Sequence, residues 1–161
     1  IMEDIWNITA LVVSVLSVLL SLYALRQATT KNTSDMYLFF ISQYAKEDMK
    51  LALRKLKDIK RGVYRLEQWE SDMKNNLPKA FEYDEARRLV KYFYDTLAYM
   101  KLEKLIEARF VRLICLKKGA WLYLDTVEAM EKFFDSGYDK KPYAVIRDVC
   151  ENLRKEGCCP P

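Results

Sequence analysis

The chain has 161 residues, 51% of them hydrophobic and 31% charged, with a net charge of +4. That is enough for one packed domain of ordinary size, and it excludes a disordered or low-complexity chain. Histidine is absent, which removes Ser-His-Asp and Cys-His triads and every His-containing metal site.

Residues 5–25, IWNITALVVSVLSVLLSLYAL, carry no charge. As a helix the run covers about 30 Å, the thickness of a bilayer's hydrocarbon core, and predicts a transmembrane anchor over 1–26. Trp6 and Tyr23 stand near its two ends, where amphipathic rings sit among headgroups, and Arg26 and Lys31 follow it. Glu3 and Asp4 precede it without a base, so the positive-inside rule expects the N-terminus outside and the remainder in the cytoplasm. A cleaved signal peptide fits less well, because its leading region would be basic and a small-residue cleavage site would follow. A buried core helix rarely runs this long without a charge.

Within the run, Ala10, Ser14, Ser17, Ser21 and Ala24 recur at spacings of four, three, four and three, which puts them on one helical stripe. In lipid, small residues let backbones approach and serine hydroxyls bond across the contact, so the stripe reads as a face for other transmembrane subunits, in a hetero-complex or a homo-oligomer. The alternative is that each serine bonds its own i−4 carbonyl.

A polar linker over 27–34 follows, and Thr33, Ser34 or Asp35 is a candidate cap for a short helix with Met36, Phe39, Phe40 and Tyr44 on its apolar face. A second helix starts near Lys46 or Glu47 and uses Met49, Leu53, Leu56, Ile59 or Lys60, and Val63, with Gly62 as its breaker. Leu66 to Lys74 predicts a third, closed by Asn75, Asn76 and Pro78. The strongest pattern runs from Asp84 to Lys101, with Leu89, Tyr92, Phe93, Thr96, Leu97 and Met100 as a wide apolar stripe. Lys104 to Leu116 gives another, with Leu105, Ala108, Val111 or Arg112, and Cys115 inward. Gly119 punctuates it, and Trp121 to Phe134 continues as a helix that stops at Ser136-Gly137. The last helix has Pro142 in its first turn, uses Tyr143, Ile146, Val149 or Cys150, and Leu153, and ends at Gly157. Four glycines and four prolines supply little turn punctuation, and no window alternates with period two. The expectation is therefore all-α: one membrane helix and a cytosolic bundle of five or six helices over 35–157. A Cys/Pro tail over 158–161 completes the chain.

The seven phenylalanines and most of the eleven tyrosines keep register with Leu and Val, as core residues do. Lys50, Arg54, Lys57 and Arg61, spaced by four, three and four, form a basic helix face with Lys55 and Lys60 alongside. A solvated face is the plain reading, and docking on anionic lipid or an acidic partner is the functional one. The modest net charge without a recognisable motif argues against nucleic acid. Glu103, Glu107, Asp125 and Glu128 resemble paired carboxylates, yet di-iron bundles also need Glu-x-x-His, and surface pairing explains these acids more simply. Cys115 and Cys150 fall on or beside apolar stripes, while vicinal Cys158-Cys159 reads as a frayed end or as a lipid, redox or metal-capturing tail. The isolated glycines build no phosphate loop. Neither a catalytic residue nor a cofactor or metal is expected.

The segments LSLYALRQATTKN and ISQYAKEDMKLALRKL, with DEARRLVKYFYDTLAYMKLEKLIE and GAWLYLDTVEAMEKFF, resemble a family of small prokaryotic membrane proteins carried under a domain-of-unknown-function label. The resemblance implies a single span with a helical cytoplasmic domain and supplies no activity. The residues together lead to an expected accessory or scaffolding subunit of a membrane complex, packed by its span and docked by its helical domain. The alternative is a stand-alone regulatory module that uses the basic face.

Overall fold

A computed structural model describes residues 16–24, 34–135 and 137–158, and the chain divides into two compact units, Ile1–Met36 and Tyr37–Pro161. In the first unit, residues 16–24 are helical with every side chain exposed. The rest of the 5–25 run, with Trp6, Ala10 and Ser14, lies outside the described residues, as do Arg26 and Lys31. Among the described residues no helix is long and apolar enough to cross a membrane. The Ser21 hydroxyl donates to the Ser17 carbonyl at 2.8 Å. Its proton is thereby used within its own helix.

The second unit is all-α, and no strand occurs among the described residues. α1 (34–45) leads through Lys46 into α2 (Glu47–Lys60), α3 (Leu66–Lys74) and α4 (Pro78–Leu102). α5 (Ala108–Cys115), α6 (Lys118–Leu122), a π-helical turn over Tyr123–Val127, α7 (Glu128–Phe134) and α8 (Lys141–Lys155) follow. The bundle has more helices than the five or six expected: α1 to α5, the continuous run of α6, the π turn and α7, and α8 make seven among the described residues.

α4 is the axis of the unit, touched by α2, α3, α5, α8 and the π turn. It begins at Pro78, one turn and a half before the expected Asp84. Pro78 opens α4 instead of closing α3: at the first position of a helix proline has no N–H to lose and its φ is already helical, and Leu77 before it is extended. Its buried face also differs. Val90, Phe93, Tyr94, Leu97 and Ala98 are buried together with Asp84 and Arg87, whereas Leu89 and Tyr92 are exposed. Periodicity assigns charged residues to solvent, and here a pair of them takes the inward position.

Around α4 the core closes largely through aromatic rings. Phe40 packs edge-on to Phe93 at 5.3 Å, while Phe39 beside it is 56% exposed. α2 buries Met49, Ala52, Leu56 and Ile59; Val63 is exposed, and Tyr64 is the buried residue that follows the helix. Trp69 of α3 is fully buried, donates to the Ala80 carbonyl at 3.2 Å and meets Phe133 edge-on, joining α3 to the start of α4 and to α7. Gly119 lies inside α6 and does not interrupt a helix. Its N–H donates to the Tyr44 hydroxyl at 3.2 Å, and an added Cβ would stand 2.7 Å from the Tyr94 hydroxyl, so closeness and not flexibility requires glycine here.

Four helices end in the same way. After α2, α3, α4 and α8 the chain turns through a left-handed residue, Gly62, Asn76, Lys104 and Gly157 respectively. The following N–H then reaches back to a carbonyl five residues earlier, as in Val63 to Asp58 and Leu105 to Met100. This is the Schellman closure, which satisfies carbonyls that the helix leaves open. The expected helix over Lys104–Leu116 is shortened by it to α5, because Lys104 terminates α4; Leu105 is exposed and Ile106 buried.

Lysine at φ +56° brings its Cβ against the following carbonyl oxygen, a clash that glycine lacks. Lys104→Gly is therefore expected to raise stability by about 0.5–1 kcal/mol, after the greater freedom of glycine in the unfolded chain is subtracted. An upward shift in the urea midpoint, at constant slope, is the reading that checks it.

Candidate functional site

Three features combine charge, burial or exposure in a way that bears on function: a buried ionic cluster, an exposed basic face and an apolar cleft.

The cluster is built on α4. Asp84, Arg87, Arg88, Lys91 and Asp95 fall at the three- and four-residue spacings that bring helical side chains together. Arg87 donates Nε to Asp84 at 2.8 Å and pairs through Nη1 with Glu131 of α7, and its guanidinium lies 4.7 Å from the Phe134 ring centre. Arg88 reaches the other Asp84 oxygen at 2.6 Å from solvent. Lys91 holds Asp95 at 2.5 Å, and the Tyr123 hydroxyl donates to the second Asp95 oxygen at 2.5 Å. Glu128, mostly buried, accepts from the Tyr138 hydroxyl at 2.7 Å and pairs with Arg147 of α8. Asp84, Asp95, Glu128 and Glu131 thus face Arg87, Arg88, Lys91 and Arg147, and the charges cancel. A site that neutralises itself presents no surplus charge to a substrate, so its chemistry is that of a clasp between α4, α7 and α8.

Tyr94, Tyr123 and Tyr143 stack beside it, with ring centres 5.1 and 4.4 Å apart, and Tyr138 meets Tyr143 edge-on at 5.4 Å. Burial raises the pKa of Tyr94, Tyr123 and Tyr143, and for Tyr123 the hydrogen bond to Asp95 adds to it. Tyr138 is pushed up to about 12, by burial first and then by Glu128. Cys115 and Cys150 are both buried, and a hydrogen bond between them, followed by burial, pushes the Cys115 thiol up. Of the four carboxylates considered from sequence, Glu103 is exposed, Glu107 pairs with Arg109 at 2.7 Å, Asp125 with Lys60 at 2.5 Å, and Glu128 belongs to the clasp. They are not brought together.

The basic face stands on the exposed side of α2. Lys50, Arg54, Lys57 and Arg61 are all exposed, with Glu47 near the first two at 3.4 and 3.9 Å. Lys55 and Lys60 are drawn away to Glu82 at 3.0 Å and to Asp125. Exposed Lys117 and Lys118 stand at the start of α6, which the bond from the Gly119 N–H to Tyr44 and its packing on α2 bring back to the α1–α2 corner. No local pattern gives that return, since Tyr44 and Gly119 are 75 residues apart in the chain.

A cleft of about 260 Å³ opens on the other flank of α2, between α1, α2 and α4. Phe40, Met49 and Phe93 form its floor, and Phe39, Leu89 and Tyr92 stand at its rim, Tyr92 being 74% exposed. It continues into a shallower depression that includes Leu51, Lys55, Glu82 and Glu85.

No family model matches the chain, and neither a curated protein nor a solved structure matches it.

Arg87→Ala leaves Asp84 and Glu131 buried without their shared cation and is expected to cost about 3–5 kcal/mol, whereas exposed Arg88→Ala should cost under about 1 kcal/mol. Denaturant unfolding of the two variants checks the contrast. The tyrosines set an alkaline limit. Unfolded phenols ionise near about pH 10, while those of the folded protein hold their protons, so stability is complete below that pH and falls as it rises towards 12 and beyond. A spectrophotometric titration should show phenolate absorbance from the buried tyrosines appearing only together with loss of helix; early, reversible ionisation of the whole set would contradict it.

Proposed function

We propose that the protein is a non-catalytic accessory subunit of a membrane protein complex, anchored by residues 5–25 with its helical domain in the cytoplasm. The single observation that carries this reading is the apolar cleft with Phe39, Leu89 and Tyr92 exposed at its rim. Contiguous apolar surface beside a well-filled core costs solubility and marks a place for a partner. Its form, a trough between helices, suits an amphipathic helix whose apolar side chains enter at spacings of three and four. The uncharged run supplies the attachment, and the stripe of Ala10, Ser14, Ser17, Ser21 and Ala24 is proposed as its packing face towards other transmembrane subunits. The absence of histidine and the self-neutralised ionic cluster support a binding role over a catalytic one.

Gentle detergent extraction from native membranes, with sizing and mass spectrometry, tests the reading. The expected result is recovery at fixed stoichiometry with a larger membrane complex. Tyr92→Asp or Phe39→Asp should lower that recovery about tenfold while leaving helix content unchanged, since both side chains are exposed. Recovery of the chain alone, or only with itself, would overturn it.

A further inference from the structure

We propose that the exposed basic face of α2, formed by Lys50, Arg54, Lys57 and Arg61, lies on anionic lipid headgroups. The proposal rests on the membrane attachment inferred above and specifies what the domain faces beside the bilayer.

Several observations favour lipid over an acidic protein. The cations spread along α2, which at 1.5 Å per residue is about 20 Å long. Lys57 and Arg61 make no ion pair with a described residue, and Glu47 is held near Lys50 and Arg54. Ammonium and guanidinium heads on long exposed side chains match a fluid leaflet, whose phosphates and carboxylates rearrange to meet them. A protein partner of defined shape would instead use an apolar anchor in a pocket, and the apolar cleft is on another flank of α2. Val63, 73% exposed just beyond Arg61, adds an apolar side chain of the size that enters the headgroup layer beside bases.

The attachment makes the contact local. Residues 26–33, even fully extended, reach at most about 30 Å. Such a tether keeps the domain at a high effective concentration beside the leaflet, so each cation need contribute little.

The test uses the full chain reconstituted into vesicles of phosphatidylcholine alone or with about 30 mol% phosphatidylserine. A membrane-impermeant amine-acylating reagent is applied, and modification is read by mass spectrometry at each lysine. Relative to Lys140 and Lys155, modification of Lys50 and Lys57 should fall about threefold in the anionic vesicles and recover in about 0.5 M salt, where charge interactions are screened. The double variant Arg54→Glu with Arg61→Glu should lose the lipid-dependent protection at Lys57. Equal ratios in both vesicle types would overturn the proposal, as would protection that ignores salt. Retention on anionic but not on neutral vesicles would sink the membrane anchor and leave the basic face standing; retention on neither would overturn both.

Discussion

The position of Arg87 governs much else in this domain. A guanidinium taken out of water must be met by carboxylates and further hydrogen bonds, because its loss of hydration would otherwise exceed what packing returns. Asp84, one turn earlier on α4, and Glu131 on α7 meet that need, and Phe134 covers the cation from the side. Two helices are thereby fixed in distance and rotation, since the fork of an arginine accepts few arrangements. The consequence is felt on the far side of α4. With Asp84 and Arg87 turned inward, part of the apolar arc of the helix is turned outward, and Leu89 and Tyr92 emerge at the surface. The cleft that serves as the candidate docking site is in this sense the reverse face of a buried ion pair.

The π turn belongs to the same economy of charge and packing. Tyr123–Val127 is gripped by α2, α4 and α8, and a wider turn allows Tyr123, Leu124, Thr126 and Val127 all to be buried while Asp125 alone reaches out to Lys60. Tyr123 then spends both of its properties in one place. Its ring is stacked between Tyr94 and Tyr143, and its hydroxyl is bonded to Asp95. Inserted turns of this kind persist where several neighbours over-determine them.

How far the sequence discloses this architecture can be followed residue by residue. The helical class was legible from the shortage of Gly and Pro and the lack of period-two alternation, and Gly62 and Gly157 were legible as helix ends because a glycine after an apolar stripe is the commonest closing signal. Lys104 makes the same closure but carries no such signature, so the apolar pattern alone extends α5 beyond its start at Ala108. Pro78 is ambiguous by nature, since proline both follows helices and begins them. Asp84 and Arg87 were hidden for a more general reason. A periodicity argument sorts residues by polarity one at a time, whereas burial of a charge is decided by a partner on another helix. The basic face was legible along α2, where four bases share one helical stripe, but the return of α6 to α2 through the Tyr44–Gly119 contact was not. Nothing local could also say that Lys55 and Lys60 would be claimed by Glu82 and Asp125.

α2 is the wall shared by the two proposed surfaces. Asp48, Leu51 and Lys55 line its cleft side, and Lys50, Arg54, Lys57 and Arg61 its basic side. At 3.6 residues per turn these groups are centred about 120° apart around the helix. The cleft side carries the acids Asp48, Glu82 and Glu85 against the bases Lys46 and Lys55, while the other flank is basic. On the proposed lipid contact this difference would orient the domain as well as hold it: with the basic flank on lipid, the cleft would be turned away from the headgroups. A partner helix and a membrane surface then need not compete for α2, and occupation of one would restrict the rotation of the domain in a way that favours the other.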